Sequence, residues 1–169
     1  MGQYVIHLDT SVLIPMLMRE GHRDDIARAA ARLRERARKH KHTKLKITLP
    51  VLGELALFCL REQMTEPLEE LMRLKNILGE RLELGGIPKF RGTALDFHEI
   101  LGRLLEADDY LRDSPTDAII VALAILDPEA DVLKINDPTI ILSRKLREEV
   151  DALRQELDFK RLRIEPLGE

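Results

Sequence analysis

Four acidic residues in this sequence stand inside or at the end of apolar runs, where an unpaired carboxylate is costly. They are Asp9, Glu54, Asp117 and Asp137. Carboxylates that pack together repel one another and raise one another's pKa, unless a cation neutralises them. Because hard oxygen ligands select Mg²⁺ or Mn²⁺, the first hypothesis is a divalent-metal site formed by these four residues.

Asp9 and Glu54 are the two acids that structural roles explain least well. Asp9 ends an apolar run that begins at Tyr4, and a helix follows it. The hydroxyls of Thr10 and Ser11 are expected to cap that helix, so an acid is not required there. Glu54 is surrounded by apolar residues in a predicted helix, where a buried carboxylate without a partner is unfavourable. Both residues are therefore candidates for chemistry rather than for structure.

Asp117 and Asp137 each have an ordinary structural explanation. Asp117 stands three residues after Ser114, which is the spacing of a capping box at a helix start. Asp137 precedes Pro138, and acids are common in such turns. Each of them alone is as compatible with a structural role as with a functional one. Considered as a set, however, one metal site explains all four positions.

The elements predicted around these acids alternate between strands and helices. The strands are expected at 3–8, 44–49, 87–90, 131–135 and 160–165, and the helices from 12, at 23–39, from 50, and at 67–82, 94–112, 114–125 and 143–157. This alternation predicts one α/β domain over residues 1–169, with a mostly parallel sheet between two helical layers.

The predicted topology brings the four acids to one place. Asp9 and Asp137 directly follow strands, whereas Glu54 and Asp117 are expected in the first turns of helices that start at the same edge. Ligands of open α/β sheets bind outside the carboxyl ends of the strands. We therefore expect the four side chains to face a single crevice.

The composition excludes several other classes of protein. Aromatic residues make up 4% of the chain, and Cys59 is the sole cysteine, which rules out an internal disulfide or a cysteine-based zinc site within one chain. No apolar stretch is long enough to cross a membrane, and no signal peptide is evident. A cytoplasmic protein is expected, and 34% charged residues fit a thermophilic source.

Charge is distributed unevenly along the chain. Residues 19–46 contain 11 Lys and Arg against 4 Asp and Glu, although the whole chain has a net charge of −3. Basic side chains between 28 and 46 are candidates for contacts with nucleic-acid phosphates. The alternative is an ordinary solvated helix face.

The residues around the acids resemble a known family. The segments 8–14, 53–55, 116–124 and 135–137 resemble the PIN domain in order and spacing. The resemblance covers nearly the whole chain and implies the strand order 3-2-1-4-5. It also implies a Mg²⁺- or Mn²⁺-dependent ribonuclease, as in VapC-like toxins and RNA-processing nucleases. Its acidic cluster would be Asp9, Glu54, Asp117 and Asp137, and Ser11 matches a hydroxyl often seen near that site.

Other interpretations remain open at this point. Ile135 stands where the family commonly has Ser or Thr, which favours a non-catalytic PIN-like module that binds RNA or a protein. A phosphohydrolase with Asp9 as nucleophile is disfavoured, because Ser11 occupies the place of its usual second acid. Single-stranded RNA is the expected substrate, and the aliphatic helices around 51–60 and 67–82 suggest an antitoxin-like partner or a homodimer.

Overall fold

The structure of the protein is a computed structural model that describes residues 2–18, 25–86 and 95–168. Its centre is a parallel sheet of five strands in the order β3-β2-β1-β4-β5, which confirms the predicted order and the α/β fold class. The strands are β1 Tyr4–Leu8, β2 Thr43–Ile47, β3 Leu82–Leu84, β4 Ala130–Lys134 and β5 Arg163–Glu165.

Helices connect the strands and flank the sheet. Within the described residues they are α1 Thr10–Leu17, α2 Asp25–Lys39, α3 Leu49–Arg61, α4 Glu66–Leu78, α5 Phe97–Ala107, α6 Asp109–Asp113, α7 Pro115–Leu126, α8 Pro138–Leu142 and α9 Arg144–Glu156. Helices α1 to α4 pack on one another, as do α5, α7 and α9. From β1 to β3 the chain moves towards one edge of the sheet, and from β4 to β5 it moves towards the other edge. Because crossovers between parallel strands are right-handed, the two groups of helices lie on opposite faces of the sheet.

Aliphatic side chains in register hold the middle of the sheet together. Ile6 of β1 is aligned with Leu45 of β2 and with Val132 of β4, and Leu45 is aligned with Leu82 of β3. All four are almost completely buried. Strands buried on both faces are typical of parallel sheets, and this rigid centre fixes the carboxyl edge at which the acids were expected.

The third strand of the sheet, β3, begins at the end of the segment that was predicted as a helix at 67–82. Helix α4 ends at Leu78, because Gly79 adopts a φ of +59° that other residues rarely adopt. A single 3-10 turn at Gly79–Arg81 then leads into β3, so the predicted helix at 67–82 is too long. The edge strand predicted at 87–90 lies outside the described residues.

The predicted helix at 94–112 is interrupted. Asp108 has extended backbone angles and ends α5, while its carboxylate accepts a hydrogen bond from the Tyr110 amide and so begins α6. An acid at this position is therefore a cap between two helices rather than part of one. The short helix α8 after Asp137 was not predicted, because it is one turn long and follows a turn sequence.

The remaining elements lie within a few residues of their predicted bounds. Among the residues that the structure describes, none of the helices has the length and apolar character needed to cross a membrane. Cys59 is buried and free, as expected for a small core residue.

Candidate functional site

One pocket at the carboxyl edge of the sheet is lined by all four acids. Its volume is about 580 Å³, and Asp9, Glu54, Asp117 and Asp137 all contribute to its lining. Asp9 directly follows β1, and its amide donates to the Lys134 carbonyl at 2.9 Å, which extends the pairing with β4. The expected convergence of the four residues is thus present in the geometry, although Glu54 lies in the second turn of α3 rather than the first.

Asp9 is buried and caps helix α1. Its Oδ2 accepts hydrogen bonds from the Ser11 amide at 2.8 Å and from the Ser11 hydroxyl at 2.5 Å. The expectation that Thr10 or Ser11 caps this helix is therefore wrong, because the carboxylate reaches the free amides better than either hydroxyl does. The Ser11 hydroxyl also accepts from the Asn136 amide at 2.8 Å. Ser11 thereby joins the end of β1 to the segment after β4.

A hydroxyl also holds Glu54, which projects from α3. The Thr10 side chain donates a hydrogen bond to Oε2 of Glu54 and so joins the starts of α1 and α3. Asp9 and Glu54 are therefore held by adjacent residues of one helix turn. Ser11 was noticed in the sequence, whereas Thr10 was considered only as a cap.

Asp117 does not form the capping box that its spacing predicted. The Ser114 side chain makes no hydrogen bond to the backbone amides at the start of α7. Instead, its hydroxyl donates to the Asp117 carboxylate. The structural explanation for Asp117 is weakened, because the serine supports the acid rather than the helix.

Asp137 is held from two sides. Its Oδ1 accepts from the Thr139 amide at 2.8 Å, which makes Asp137 the cap of α8, and its Oδ2 accepts from the Tyr110 hydroxyl at 2.5 Å. This second contact raises the pKa of Tyr110 to about 12, with burial as a further cause. Tyr110 was missed in the sequence, because the surrounding acids suggested a solvated helix end.

The electrostatics of the pocket follow from four carboxylates with few neutralising charges. Burial is the main cause that raises the pKa of Glu54, and the charges of Asp9 and Asp117 raise it further. Burial likewise raises the pKa of Asp117, together with Asp9 and Asp137. Burial alone would also raise the pKa of Asp137, but hydrogen bonds from Tyr110 and Thr139 lower it below its ordinary value.

The donor set fits a hard cation, although the side chains are not already arranged around one. In the part of the chain that is described, no three His, Cys, Asp or Glu residues have the arrangement of a metal site. Each pocket acid instead accepts a hydrogen bond from a neighbouring hydroxyl. Oδ1 of Asp9, however, is buried without a hydrogen-bond partner. Since a buried oxygen of this kind is unfavourable, a cation at the pocket would satisfy it and relieve the repulsion among the acids.

The rest of the pocket lining is different in character. Arg61 is the sole basic residue among the lining residues, and Ile14, Leu57 and Phe58 provide apolar surface. Neither Phe58 nor Arg61 was singled out as a site residue from the sequence. Their spacing from Glu54, at four and seven residues along one helix, was the signal that could have found them.

Other residues considered from the sequence lie outside the pocket. His7 contacts Asp127 at 2.7 Å and is buried, which agrees with a satisfied core histidine. Asp113 is exposed at the end of α6 and does not line the pocket. In the basic segment, Lys44 and Lys46 are engaged in ion pairs with acids. Four arginines of α2 are exposed, of which Arg28 pairs with Asp25 and Arg38 pairs with Glu35; the four are Arg28, Arg32, Arg36 and Arg38.

Comparisons with known proteins give one structural likeness. No protein-family model and no curated protein matches the chain. The chain is similar to a chain in the crystal structure of VapBC2 from Rickettsia felis bound to a DNA fragment from their promoter, with 17% identity and a TM-score of 0.47. The alignment covers 96% of this chain and 98% of that chain. A likeness this distant carries no functional argument, so the candidate site stands on its own geometry.

Proposed function

We propose that the protein is a Mg²⁺- or Mn²⁺-dependent ribonuclease that hydrolyses phosphodiester bonds of single-stranded RNA. The observation that carries this proposal is the convergence of Asp9, Glu54, Asp117 and Asp137 on one pocket, where Oδ1 of Asp9 is buried without a partner. The resemblance of the surrounding segments to PIN domains supports the same reaction. It also supports a role as a toxin-type or RNA-processing nuclease.

The four acids have different roles in this proposal. Asp9, Glu54 and Asp117 would hold the metal, and Asp137 would support them or complete a second metal position. A bound cation supplies a water of lowered pKa and offsets the negative charge of the phosphodiester. The chain's own contribution is orientation, because the hydroxyls of Thr10, Ser11 and Ser114 hold three of the carboxylates. Such support of ligands typically decides how well a metal site works.

An RNA cleavage assay tests this proposal. Labelled single-stranded RNA is incubated with the full chain and Mg²⁺ or Mn²⁺, with EDTA as the metal-free condition. We expect EDTA to abolish cleavage and Asp9→Asn to lower the rate by about a thousandfold, equivalent to several kcal/mol of transition-state stabilisation. Asp151→Asn is the matched control, since Asp151 is an acid of α9 that does not line the pocket. Cleavage that persists in EDTA and in Asp9→Asn would refute the proposal.

Thermal unfolding provides a second readout that is independent of activity. A ligand present at 100 times its dissociation constant stabilises a folded protein by about 2.7 kcal/mol. We expect Mn²⁺ to raise the midpoint of the wild type and of Asp151→Asn, but to have little effect on Asp9→Asn. Equal shifts of the unfolding midpoint in all three proteins would mean that the cation binds outside the pocket.

A non-catalytic module that binds RNA or a protein is the second candidate. Two observations favour it: Ile135 is part of the core, so it adds no polar group to the pocket, and helices α3 and α4 expose large apolar side chains. These include Leu57 at 67%, Leu60 at 75% and Met72 at 55% exposure. An exposed apolar face of this kind fits an antitoxin-like protein or a second copy of the chain. RNA binding without cleavage in the assay above would support this candidate.

A further inference from the structure

Helix α3 contributes other residues to the pocket besides its single acid. Glu54, Leu57, Phe58 and Arg61 all line the pocket. They stand at positions i, i+3, i+4 and i+7, which lie on one face of a helix. The same helix face therefore begins with a carboxylate, continues with an apolar surface and ends with a cation.

Arg61 is placed to contact an anion rather than to neutralise the acids. Its side chain is 73% exposed, and its Nε donates to Glu62 at 2.7 Å. Among the described residues, its two terminal NH₂ groups have no partner and it forms no ion pair with Glu54. A guanidinium with free donors matches the geometry of a phosphate group.

Phe58 lies under that cation and supplies a flat apolar support for it. One side of Phe58 packs against the hydrophobic core, while the residue also lines the pocket. The Arg61 guanidinium carbon lies over the Phe58 ring, 5.7 Å from its centre, so the ring supports the guanidinium plane and the two groups act as a unit. Nucleobases stack on aromatic rings and on guanidinium planes.

We infer that Phe58 and Arg61 form a nucleotide shelf, which binds one base and one phosphate of single-stranded RNA. The inference rests on the proposed function, since it takes the substrate to be RNA. Phe58 and Arg61 follow Glu54 by one and two helix turns, so the shelf serves a nucleotide next to the phosphodiester at the acids.

Equilibrium binding of a labelled oligonucleotide tests the shelf. The probe is a fluorescein-labelled 12-nucleotide oligoadenylate, and a second probe of the same length has abasic sites; both are titrated with the full chain in EDTA. We expect Arg61→Gln to weaken binding of both probes about three- to tenfold and to reduce the salt dependence by about 0.7 in slope. We expect Phe58→Leu to weaken binding of oligoadenylate about five- to twentyfold, with little effect on the abasic probe.

Two control variants test whether the changes in binding are specific to the shelf. Arg144→Gln removes an exposed arginine that pairs with Glu148 and does not line the pocket, and it should bind as the wild type does. Phe58→Trp keeps an aromatic surface and should retain oligoadenylate binding, which excludes a mere loss of folding. Thermal unfolding of each variant confirms that the chain is folded.

The outcomes separate the shelf from the proposed reaction. Equal binding by Arg61→Gln and Arg144→Gln, or a Phe58→Leu effect that is the same on both probes, would overturn the shelf and leave this face to a protein partner. If Arg61→Gln and Phe58→Leu weaken binding in EDTA as expected, but the wild type does not cleave RNA in Mg²⁺ or Mn²⁺, the shelf would be supported and the nuclease refuted.

Discussion

Strand β1 separates two groups of acids that differ in how their charge is balanced. His7, inside the strand, contacts Asp127, and the same carboxylate oxygen accepts a hydrogen bond from Lys46 at 2.7 Å. Asp9, just after the strand, belongs to the pocket and instead accepts from the hydroxyl and the amide of Ser11. The two groups are separated by a single residue of β1, Leu8.

The difference appears in the pKa of the acids. Asp127 is buried, yet hydrogen bonds from His7 and Lys46 outweigh that burial and hold its pKa far below the ordinary value. Burial raises the pKa of Glu54 and Asp117, and neighbouring acids raise it further. Asp127 and Asp9 are similarly buried, at 2% and 4% exposure. Burial therefore does not separate the structural acid from the candidate functional ones, whereas the presence of cationic partners does.

The largest expected effect on stability comes from replacing Asp127, the acid that has cationic partners. Asp127→Asn leaves Lys46 buried with its main partner lost, and breaking a buried pair in this way typically costs about 3 to 5 kcal/mol. We expect the free energy of unfolding to fall by about 3 kcal/mol, because Lys46 retains Glu129 at 2.9 Å. Urea unfolding of the metal-free protein measures this change.

Two variants sharpen that result. Glu129→Gln removes a partner of the same lysine that is 60% exposed, so it should cost less than about 1 kcal/mol. Glu54→Gln keeps an oxygen for the Thr10 hydroxyl and removes a charge that Asp9 and Asp117 repel. It should leave stability unchanged or slightly higher. Destabilisation by Glu54→Gln as large as that by Asp127→Asn would contradict the distinction between the two groups.

The pH dependence of stability should separate the same two groups, with a smaller effect. Asp127 has a lowered pKa in the folded state, so its contribution is complete above its unfolded value near 3.8 and is lost as pH falls further. Glu54 and Asp117 have raised pKa values, so the folded state binds more protons than the unfolded state, and stability falls as pH rises past 3.8 for Asp117 and past 4.5 for Glu54.

Urea midpoints in EDTA between about pH 3 and pH 8 test both signs. Glu54→Gln should flatten the decline above pH 4.5 and leave the loss at acid pH unchanged. Asp127→Asn should reduce the loss of stability at acid pH and leave the decline above pH 4.5 unchanged. A wild-type profile that rises steadily through this range would mean that the pocket acids do not repel one another.

The sequence predicted much of this arrangement because apolar runs determine both the strands and their edges. Asp9 and Asp137 could be placed at the carboxyl edge, since each lies within three residues of the end of a buried strand. Strand β3 could not be found, because Leu82 continues the apolar pattern of α4, and the two elements are separated only by the short turn that begins at Gly79. Short elements carry too little periodicity to be recognised.

The hydroxyl partners of the acids were only partly found from the sequence. Ser11 and Ser114 are close to their acids along the chain and both were noted, Ser114 only as a helix cap. Tyr110 is 27 residues from Asp137, and the contact depends on how α6 packs beside α7. Asp127 was also overlooked, because its partners His7 and Lys46 come from two distant strands.

Replacing Tyr110 should have the smallest effect on stability and the most selective effect on the pocket, since its side chain orients a pocket acid without carrying charge. Tyr110→Phe removes the hydroxyl that donates to Asp137, and the loss of one such hydrogen bond costs about 1 kcal/mol. Tyr4→Phe is the matched control, because the Tyr4 hydroxyl accepts from Arg163 in an exposed contact and should cost less. If Asp137 completes a cation site, Tyr110→Phe should also weaken Mn²⁺ binding about tenfold, as changes to residues that orient metal ligands usually do. Titration of Mn²⁺ by thermal unfolding measures this, and the same affinity in both variants would mean that Tyr110 supports only the fold.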